Sequence, residues 1–249
     1  MRNGMRKPEM VLFDYGNTLV YEPAFDREAG FRAVLTCCTE NPRGIGAAAL
    51  ADAYASALER LMAASRAAGA DLMDMCAKRL IYEGFDLTFS LDLSRLERVF
   101  WDAAGPGKPM PGIRSLLGEL KARGIRTAVL RNMNFREENL KERIGRLLPE
   151  HDFSFILCSC EYGTRKPAPE FFRLALRKAG LEAKQVWYCG DNPRADILGA
   201  HESGLFPVYY VCPELPCPYR SAADELEPEF PHLRLSRWAE LLPAIDSCE

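Results

Sequence analysis

The chain has 249 residues, 48% of them hydrophobic, and a formal net charge of −3, which is enough for a full core in one large domain or in a core with a smaller one. Its basic residues are dispersed and no apolar run reaches the roughly 20 residues of a spanning helix, so we expect neither a nucleic-acid partner nor a membrane partner. A polar N-terminus unlike a signal sequence and 9 cysteines without a CxxC pair favour a reduced, cytoplasmic protein.

Near the N-terminus, a short apolar run ends in a carboxylate. The run Met10–Phe13 predicts a buried strand, and Asp14, Gly16 and Thr18 follow it directly. A carboxylate at the end of a buried strand is costly unless it has a partner or a chemical role. Asp14 is therefore the first candidate site residue.

The pattern becomes helical between about residue 22 and residue 108. Two stripes at helical spacing predict buried faces, namely Leu50, Tyr54, Leu58 and Leu61, and then Leu72, Cys76 and Leu80. Ser94 and Glu97 have the spacing of a capping box, and 105–112 is typical of a linker. We expect 22–108 to be an inserted helical domain, with 1–21 and 109–249 forming the other domain.

From residue 109 onward, helices and strands alternate. The predicted strands are 126–130, 153–157, 186–189 and 206–211, and the predicted helices are 112–123, 136–147, 169–179, 193–203 and 237–246. Repeated strand–helix units imply an α/β, Rossmann-like parallel sheet with helices on both faces. Ligands of such folds bind at the carboxyl ends of the strands.

Polar groups follow two of these strands, as Asp14 follows the first strand of the chain, and one more precedes a helix. Arg131 and Asn132 follow strand 126–130, Asp191 and Asp196 follow strand 186–189, and Lys166 precedes helix 169–179. Carboxylates that converge at one sheet edge repel each other unless a cation joins them, and oxygen ligands suit Mg²⁺. A carboxylate nucleophile, a metal ion and a cationic clamp are what phosphoryl transfer requires.

The motifs in this order resemble those of the haloacid dehalogenase-like (HAD) superfamily, with a helical cap domain inserted after the first strand. The resemblance spans roughly 10–211 and is carried by Asp14 with Thr18, by the strand that ends at Arg131, by Lys166, and by Asp191 with Asp196. It implies an HAD-like core in which Asp14 is the nucleophile and a Mg²⁺ ligand. The backbone carbonyl of Gly16 and Asp191 would complete the metal site with support from Asp196. Lys166 would orient Asp14 and the phosphoryl group. Beyond what the resemblance implies, Thr18, Arg131 and Asn132 are further candidates for contact with the phosphate.

Two positions depart from the pattern of most phosphatases in this superfamily. A second Asp usually stands two residues after the nucleophile as general acid and base, where this chain has Gly16. The strand equivalent to 126–130 usually ends in Ser or Thr in these phosphatases. This chain has Arg131 there, and its guanidinium would either bind phosphate or fill the site. Asn132 would either contact substrate or stabilise its loop.

We therefore expect a cytoplasmic, Mg²⁺-dependent phosphatase-type hydrolase that acts on a small phosphorylated metabolite as a monomer or homodimer. The loss of general acid–base catalysis at Gly16 predicts activity that is weak or restricted to activated phosphates. Two alternatives stay open: a phospho-ligand binding or regulatory protein without turnover, and a metal-independent dehalogenase, which the acidic Asp191 disfavours. Cap residues Arg27, Arg32, Arg79 and Tyr82 either reach the substrate or lie on solvated helix faces.

Overall fold

The computed structural model describes residues 6–215 and 228–248. Strands within this part of the chain are β1 Met10–Phe13, β2 Val20–Tyr21, β3 Cys38–Glu40, β4 Thr88–Phe89, β5 Lys108–Pro109, β6 Arg126–Arg131, β7 Phe153–Cys158, β8 Val186–Gly190, β9 Phe206–Tyr210 and β10 Leu233–Leu235. The α-helices are α1 Arg27–Leu35, α2 Ala47–Ala67, α3 Asp74–Gly84, α4 Leu93–Ala104, α5 Ile113–Ala122, α6 Glu137–Leu147, α7 Pro169–Ala179, α8 Gly199–Glu202 and α9 Leu241–Asp246.

Six strands form one parallel sheet in the order β10-β9-β8-β1-β6-β7. Strand β1 lies between β6 and β8, and its first residue, Met10, is in register with Arg126 on one side and Val186 on the other. The predicted α/β fold with a parallel sheet is therefore confirmed. The position of β1 places Asp14, the residue that follows it, at the middle of the carboxyl edge.

The sheet separates two apolar layers. Side chains along a strand alternate between faces, so Val11 and Phe13 join one cluster while Met10 and Leu12 join the other. Phe13 packs edge-on against Trp238, with ring centroids 5.7 Å apart. Because both faces are covered, β1 is apolar at every position, as in other strands buried on both sides.

Helices α1 to α4 surround a separate apolar cluster. Phe31 packs against Phe100 at 4.8 Å and Tyr54 at 5.4 Å between ring centroids. Of the first predicted stripe, Leu50 and Tyr54 are buried and Leu58 and Leu61 are partly buried against the same cluster. The face of α3 was predicted wrongly, because Cys76 and Leu80 are exposed. The polar residues Asp74 and Lys78 are buried on that helix instead, as an ion pair that also binds the Tyr54 hydroxyl. The spacing of apolar residues cannot reveal a buried helix face that is built partly from charged side chains.

The start of α4 also differs from the sequence-based prediction. Asp92, not Ser94, is the N-cap, and its carboxylate accepts a hydrogen bond from the backbone N–H of Arg95. Glu97 is buried and accepts hydrogen bonds from Asn139 and from the backbone of Arg136. Its carboxylate therefore joins α4 to the start of α6 rather than closing a capping box.

Two chain crossings connect the helical segment to the sheet. Strand β5 lies inside the predicted linker and pairs antiparallel with β2, so this stretch is more ordered than expected. Arg143 of α6 is buried beside the crossing and bonds to Glu22, Asp102 and the carbonyl of Gly105. The division into a core domain and a cap domain stays a prediction.

Among the described residues, no helix is both long and apolar enough to cross a membrane. The cysteines in that part of the chain are free thiols.

Candidate functional site

Four segments meet at the carboxyl edge of the sheet. Asp14 follows β1, Arg131 ends β6, Lys166 precedes α7, and Asp191 with Asp196 follows β8. The backbone N–H of Asp14 continues the ladder by donating to the carbonyl of Cys189 at 2.8 Å. The structure thus brings together the charged side chains that the sequence singled out on separate segments.

Lys166 is a buried cation at the centre of the cluster, with 2% of its surface exposed. Its Nζ lies 2.7 Å from Asp14 Oδ1 and 2.6 Å from Asp196 Oδ1. It also lies 2.6 Å from the hydroxyl of Tyr188. These contacts fix one oxygen of Asp14 and leave the other facing Arg131.

Asp196 is held entirely by protein donors. It lies in a π-helical turn, Pro193–Leu198, which Asn192 caps by accepting from two backbone N–H groups. One oxygen binds Lys166, and the other accepts from the backbone of Asn192 at 3.0 Å. The Asp196 side chain lies so close to the backbone of residue 190 that this residue must be glycine, because a Cβ there would lie 2.5 Å from the Asp196 side chain. Burial raises the pKa of Asp196 above its ordinary value, although Lys166 opposes the shift.

Arg131 occupies the space beside Gly16. Its Nη1 lies 3.0 Å from Asp14 Oδ2, and a Cβ added to Gly16 would lie 2.9 Å from its Nη2. Burial alone would raise the pKa of Asp14, but the charges of Arg131 and Lys166 outweigh burial and hold the pKa below its ordinary value. The departures at positions 16 and 131 are therefore neighbours in space. The guanidinium of Arg131 lies beside residue 16, which has no side chain, and its charge keeps Asp14 ionised.

The residues present fit a divalent cation by donor type and spacing. Asp14, Asp191 and Asp196 each offer a carboxylate oxygen, and these oxygens lie within 4.8 Å of one another. Oxygen donors of this kind suit Mg²⁺. Arg131 already neutralises part of the negative charge of these carboxylates. The three carboxylates in turn raise the pKa of Arg131, which burial alone would lower. A metal ion would therefore share Asp14 with Arg131.

Thr18 and Asn132, predicted to contact phosphate, have different surroundings. Thr18 is fully buried, and its Oγ1 has no hydrogen-bond partner in the described part of the chain. Asn132 uses both ends of its amide on the backbone of Lys166, donating to its carbonyl at 2.9 Å and accepting from its N–H at 2.8 Å. In this arrangement Asn132 positions Lys166, and its contact with substrate stays a prediction.

Sequence reasoning missed Tyr188 and Arg66. Tyr188 lies inside an apolar strand, so its pattern indicated only a core residue, yet its hydroxyl lies 3.1 Å from Asp196 Oδ1. A cavity of about 220 Å³ beside Gly16 and Arg131 is lined by Arg66 from α2. Among the residues of the helical segment 22–108 that the sequence offered as substrate contacts, Arg32 and Arg79 pair with glutamates of their own helices and Tyr82 is buried.

A family model described as haloacid dehalogenase-like hydrolase matches residues 8–204. Haloacid dehalogenase-like hydrolase domain-containing protein 3 of Homo sapiens is 33% identical over 155 residues, which cover 61% of this chain and 59% of that protein. Phosphoserine phosphatase of Thermus thermophilus is 36% identical over 101 residues, which cover 40% of this chain and 39% of that protein. The chain thus matches less than two thirds of the length of these relatives.

The crystal structure of a 2-haloacid dehalogenase from Pseudomonas syringae superposes with a TM-score of 0.61 at 20% identity, covering 96% of this chain and 98% of that one. At that identity the likeness is one of fold alone.

Proposed function

Because this chain belongs to the haloacid dehalogenase-like hydrolase family, we propose that it is a phosphatase-type hydrolase of a small phosphorylated metabolite, with Asp14 as the nucleophile. The observation that carries the proposal is the buried Asp14 carboxylate, kept ionised by Lys166 and Arg131 at the edge of the sheet. The phosphoserine phosphatase similar to part of the chain supports the same reaction class.

The contacts of Asp14 define which oxygen attacks. Lys166 holds Oδ1 at 2.7 Å, so Oδ2 is the nucleophile once Arg131 turns from it toward the incoming phosphoryl oxygens. The Oδ2–phosphorus bond forms as the ester oxygen leaves with its electron pair, and a guanidinium suits the phosphoryl oxygens because it can bind two of them at once. Water then attacks phosphorus, releases inorganic phosphate and restores the carboxylate.

Proton transfer is the weak step of this site. The leaving oxygen needs a proton, and Gly16 has no side chain to donate it, so water or a group of the substrate must supply it. General acid–base catalysis contributes about 10²- to 10⁴-fold in rate. Leaving groups that depart without protonation, as in acyl phosphates, should therefore be the best substrates.

The proposed cofactor is Mg²⁺. Asp14, Asp191 and the backbone carbonyl of Gly16 would hold it, and Asp196 would support them through Lys166 and Asn192. When bound, the ion supplies positive charge to the transferring phosphoryl group. The small cavity, which the stacked rings of Trp101 and Phe135 line, suits a substrate of a few carbon atoms. Cytoplasmic location and a monomer or homodimer remain predictions from sequence.

Phosphate release from a panel of small phosphate esters, acetyl phosphate and p-nitrophenyl phosphate, in Mg²⁺ or in EDTA, tests this function. We expect turnover that requires Mg²⁺ and is fastest with acetyl phosphate. Halide release from small haloacids is measured alongside. Metal-independent halide release without phosphate release would overturn the proposal in favour of a dehalogenase.

A second candidate is a phospho-ligand binding protein without turnover. The favouring observation is that Arg131 and Lys166 together contact both oxygens of Asp14, which leaves neither free without a rearrangement. This candidate predicts tight binding of inorganic phosphate with no product from any member of the panel. Phosphate release that depends on Asp14 would exclude it.

The paired departure at residues 16 and 131 yields a non-additive prediction. Gly16→Asp alone should increase phosphate release little, because the new carboxylate would lie beside the Arg131 guanidinium and pair with it, which keeps the carboxyl group from carrying the proton. Gly16→Asp combined with Arg131→Thr removes that pairing, and we expect about a 10²-fold gain on unactivated esters, the lower end for general acid–base catalysis. The measurement is kcat for p-nitrophenyl phosphate and an alkyl phosphate in all four proteins. Equal gains in the single variant and the double variant would contradict the proposed relation between the two positions.

A further inference from the structure

Two arginines line the cavity beside Gly16. Arg131 lines it from the end of β6, and Arg66 lines it from the last turn of α2. Arg131 faces Asp14, whereas Arg66 has no ion pair with any residue in 6–215 or 228–248. Arg66 is exposed, and it thus presents to the cavity a charge that no residue in the described segments neutralises.

A third guanidinium lies close to these two. Burial lowers the pKa of Arg165, Asp71 opposes this effect, and the like charges of Arg66 and Arg131 lower the pKa further. The nearest contact of Arg165 to Asp71 is 3.5 Å, between Nε and Oδ1. The positive charges of Arg66 and Arg131 thus both act on Arg165, and a concentration of guanidinium groups of this kind favours binding of an anion.

The carboxylates around the cavity are engaged elsewhere. Glu22 accepts from the indole N–H of Trp101 at 2.7 Å and from Arg143 at 3.1 Å. Asp71 accepts from the hydroxyl of Ser159 at 2.6 Å. Neither carboxylate therefore serves as the counter-ion of Arg66.

We propose that the substrate carries a second anionic group, a carboxylate or a second phosphate, which Arg66 binds at the cap side of the cavity while the transferred phosphoryl group lies at Asp14. This inference rests on the proposed function and names its substrate class. The cavity of about 220 Å³ places the two groups within one small molecule. Arg66 is then a specificity-determining residue, and Arg165 adds to the positive potential around the second anion.

Matched esters that differ by one carboxylate test the assignment. Phosphoserine and phosphoethanolamine share their phosphate and amine, and only the former has a carboxylate. We expect kcat/KM to favour phosphoserine about tenfold or more, and Arg66→Gln to remove that preference mainly through KM, as expected for the loss of a charge-assisted contact. Arg60→Gln, on the exposed surface of the same helix, is the control and should preserve the preference. Turnover of both esters with equal kcat/KM, or a preference unaffected by Arg66→Gln, would overturn the inference but not the phosphatase assignment.

Binding of non-hydrolysable phosphonates separates the two proposals where turnover is absent. Phosphonoacetate carries a carboxylate and ethylphosphonate does not. We expect phosphonoacetate to raise Tm more than ethylphosphonate in the unmodified protein and in Arg60→Gln, and the difference to vanish in Arg66→Gln. This pattern without turnover of any ester would support the second-anion site and reject the phosphatase. Equal shifts from both phosphonates would reject the second-anion site.

Discussion

Asp14→Asn should lower phosphate release by about 10⁴-fold or more, as expected when a covalent nucleophile is removed. The amide has nearly the shape of the carboxylate but is a far weaker nucleophile. It also loses the charge that Arg131 and Lys166 contact at 3.0 Å and 2.7 Å. The measurement is the initial rate with acetyl phosphate at saturating Mg²⁺.

Asp92→Asn is the matched control for this variant. Asp92 is the N-cap of α4, and asparagine caps a helix as well as aspartate, so the control should retain full activity. Both variants are purified by the same procedure, which makes the control a check for contaminating phosphatase. Activity of Asp14→Asn within tenfold of the unmodified protein would contradict the role of Asp14.

Lys166→Met should abolish turnover and also lower the free energy of unfolding by about 3–5 kcal/mol, the usual cost of removing one partner from a buried ion pair. Methionine fills similar space without the charge, so Asp196 loses its cation at 2.6 Å while remaining buried. A buried carboxylate without a cation destabilises the protein only when ionised. The loss should therefore be largest at neutral pH and shrink as the pH falls and the carboxyl group is protonated.

Urea unfolding at neutral and mildly acidic pH measures this effect. Lys184→Met, which removes an exposed lysine paired only with exposed Glu182, should change stability by less than about 1 kcal/mol. A Lys166→Met protein as stable as the Lys184→Met control at neutral pH would contradict the buried charge cluster. A destabilisation independent of pH would assign the effect to packing instead.

The parallel sheet was predictable because its signals are local. Apolar runs of strand length and glycines at helix ends recur along the second half of the chain, and Gly180 has the left-handed conformation that such an end requires. The convergence of Asp14, Lys166 and Asp191 followed from topology, since parallel strands present their carboxyl ends at one edge. Their distances did not follow, because side-chain contacts depend on neighbours distant in sequence.

The relation between Gly16 and Arg131 could not be predicted from sequence. Each residue departs from the family pattern on its own, but only the fold reveals that the Arg131 guanidinium lies 2.9 Å from the position of a Cβ at residue 16. Tyr188 was hidden for a related reason, because a hydroxyl within a buried strand has the same sequence pattern as any core aromatic. In α3, the buried ion pair of Asp74 and Lys78 lies on the inner face, so the positions of apolar residues do not identify that face.

Detection of the covalent intermediate tests the central proposal most directly. The protein is mixed with acetyl phosphate and Mg²⁺, quenched in acid within the first turnovers, and digested for mass spectrometry. We predict a phosphoryl group on the peptide that contains Asp14, absent in Asp14→Asn, because hydrolysis without an acid–base side chain at residue 16 should be slow enough for the intermediate to accumulate. Phosphate release without any adduct on Asp14, or an adduct on another residue, would contradict the proposed mechanism.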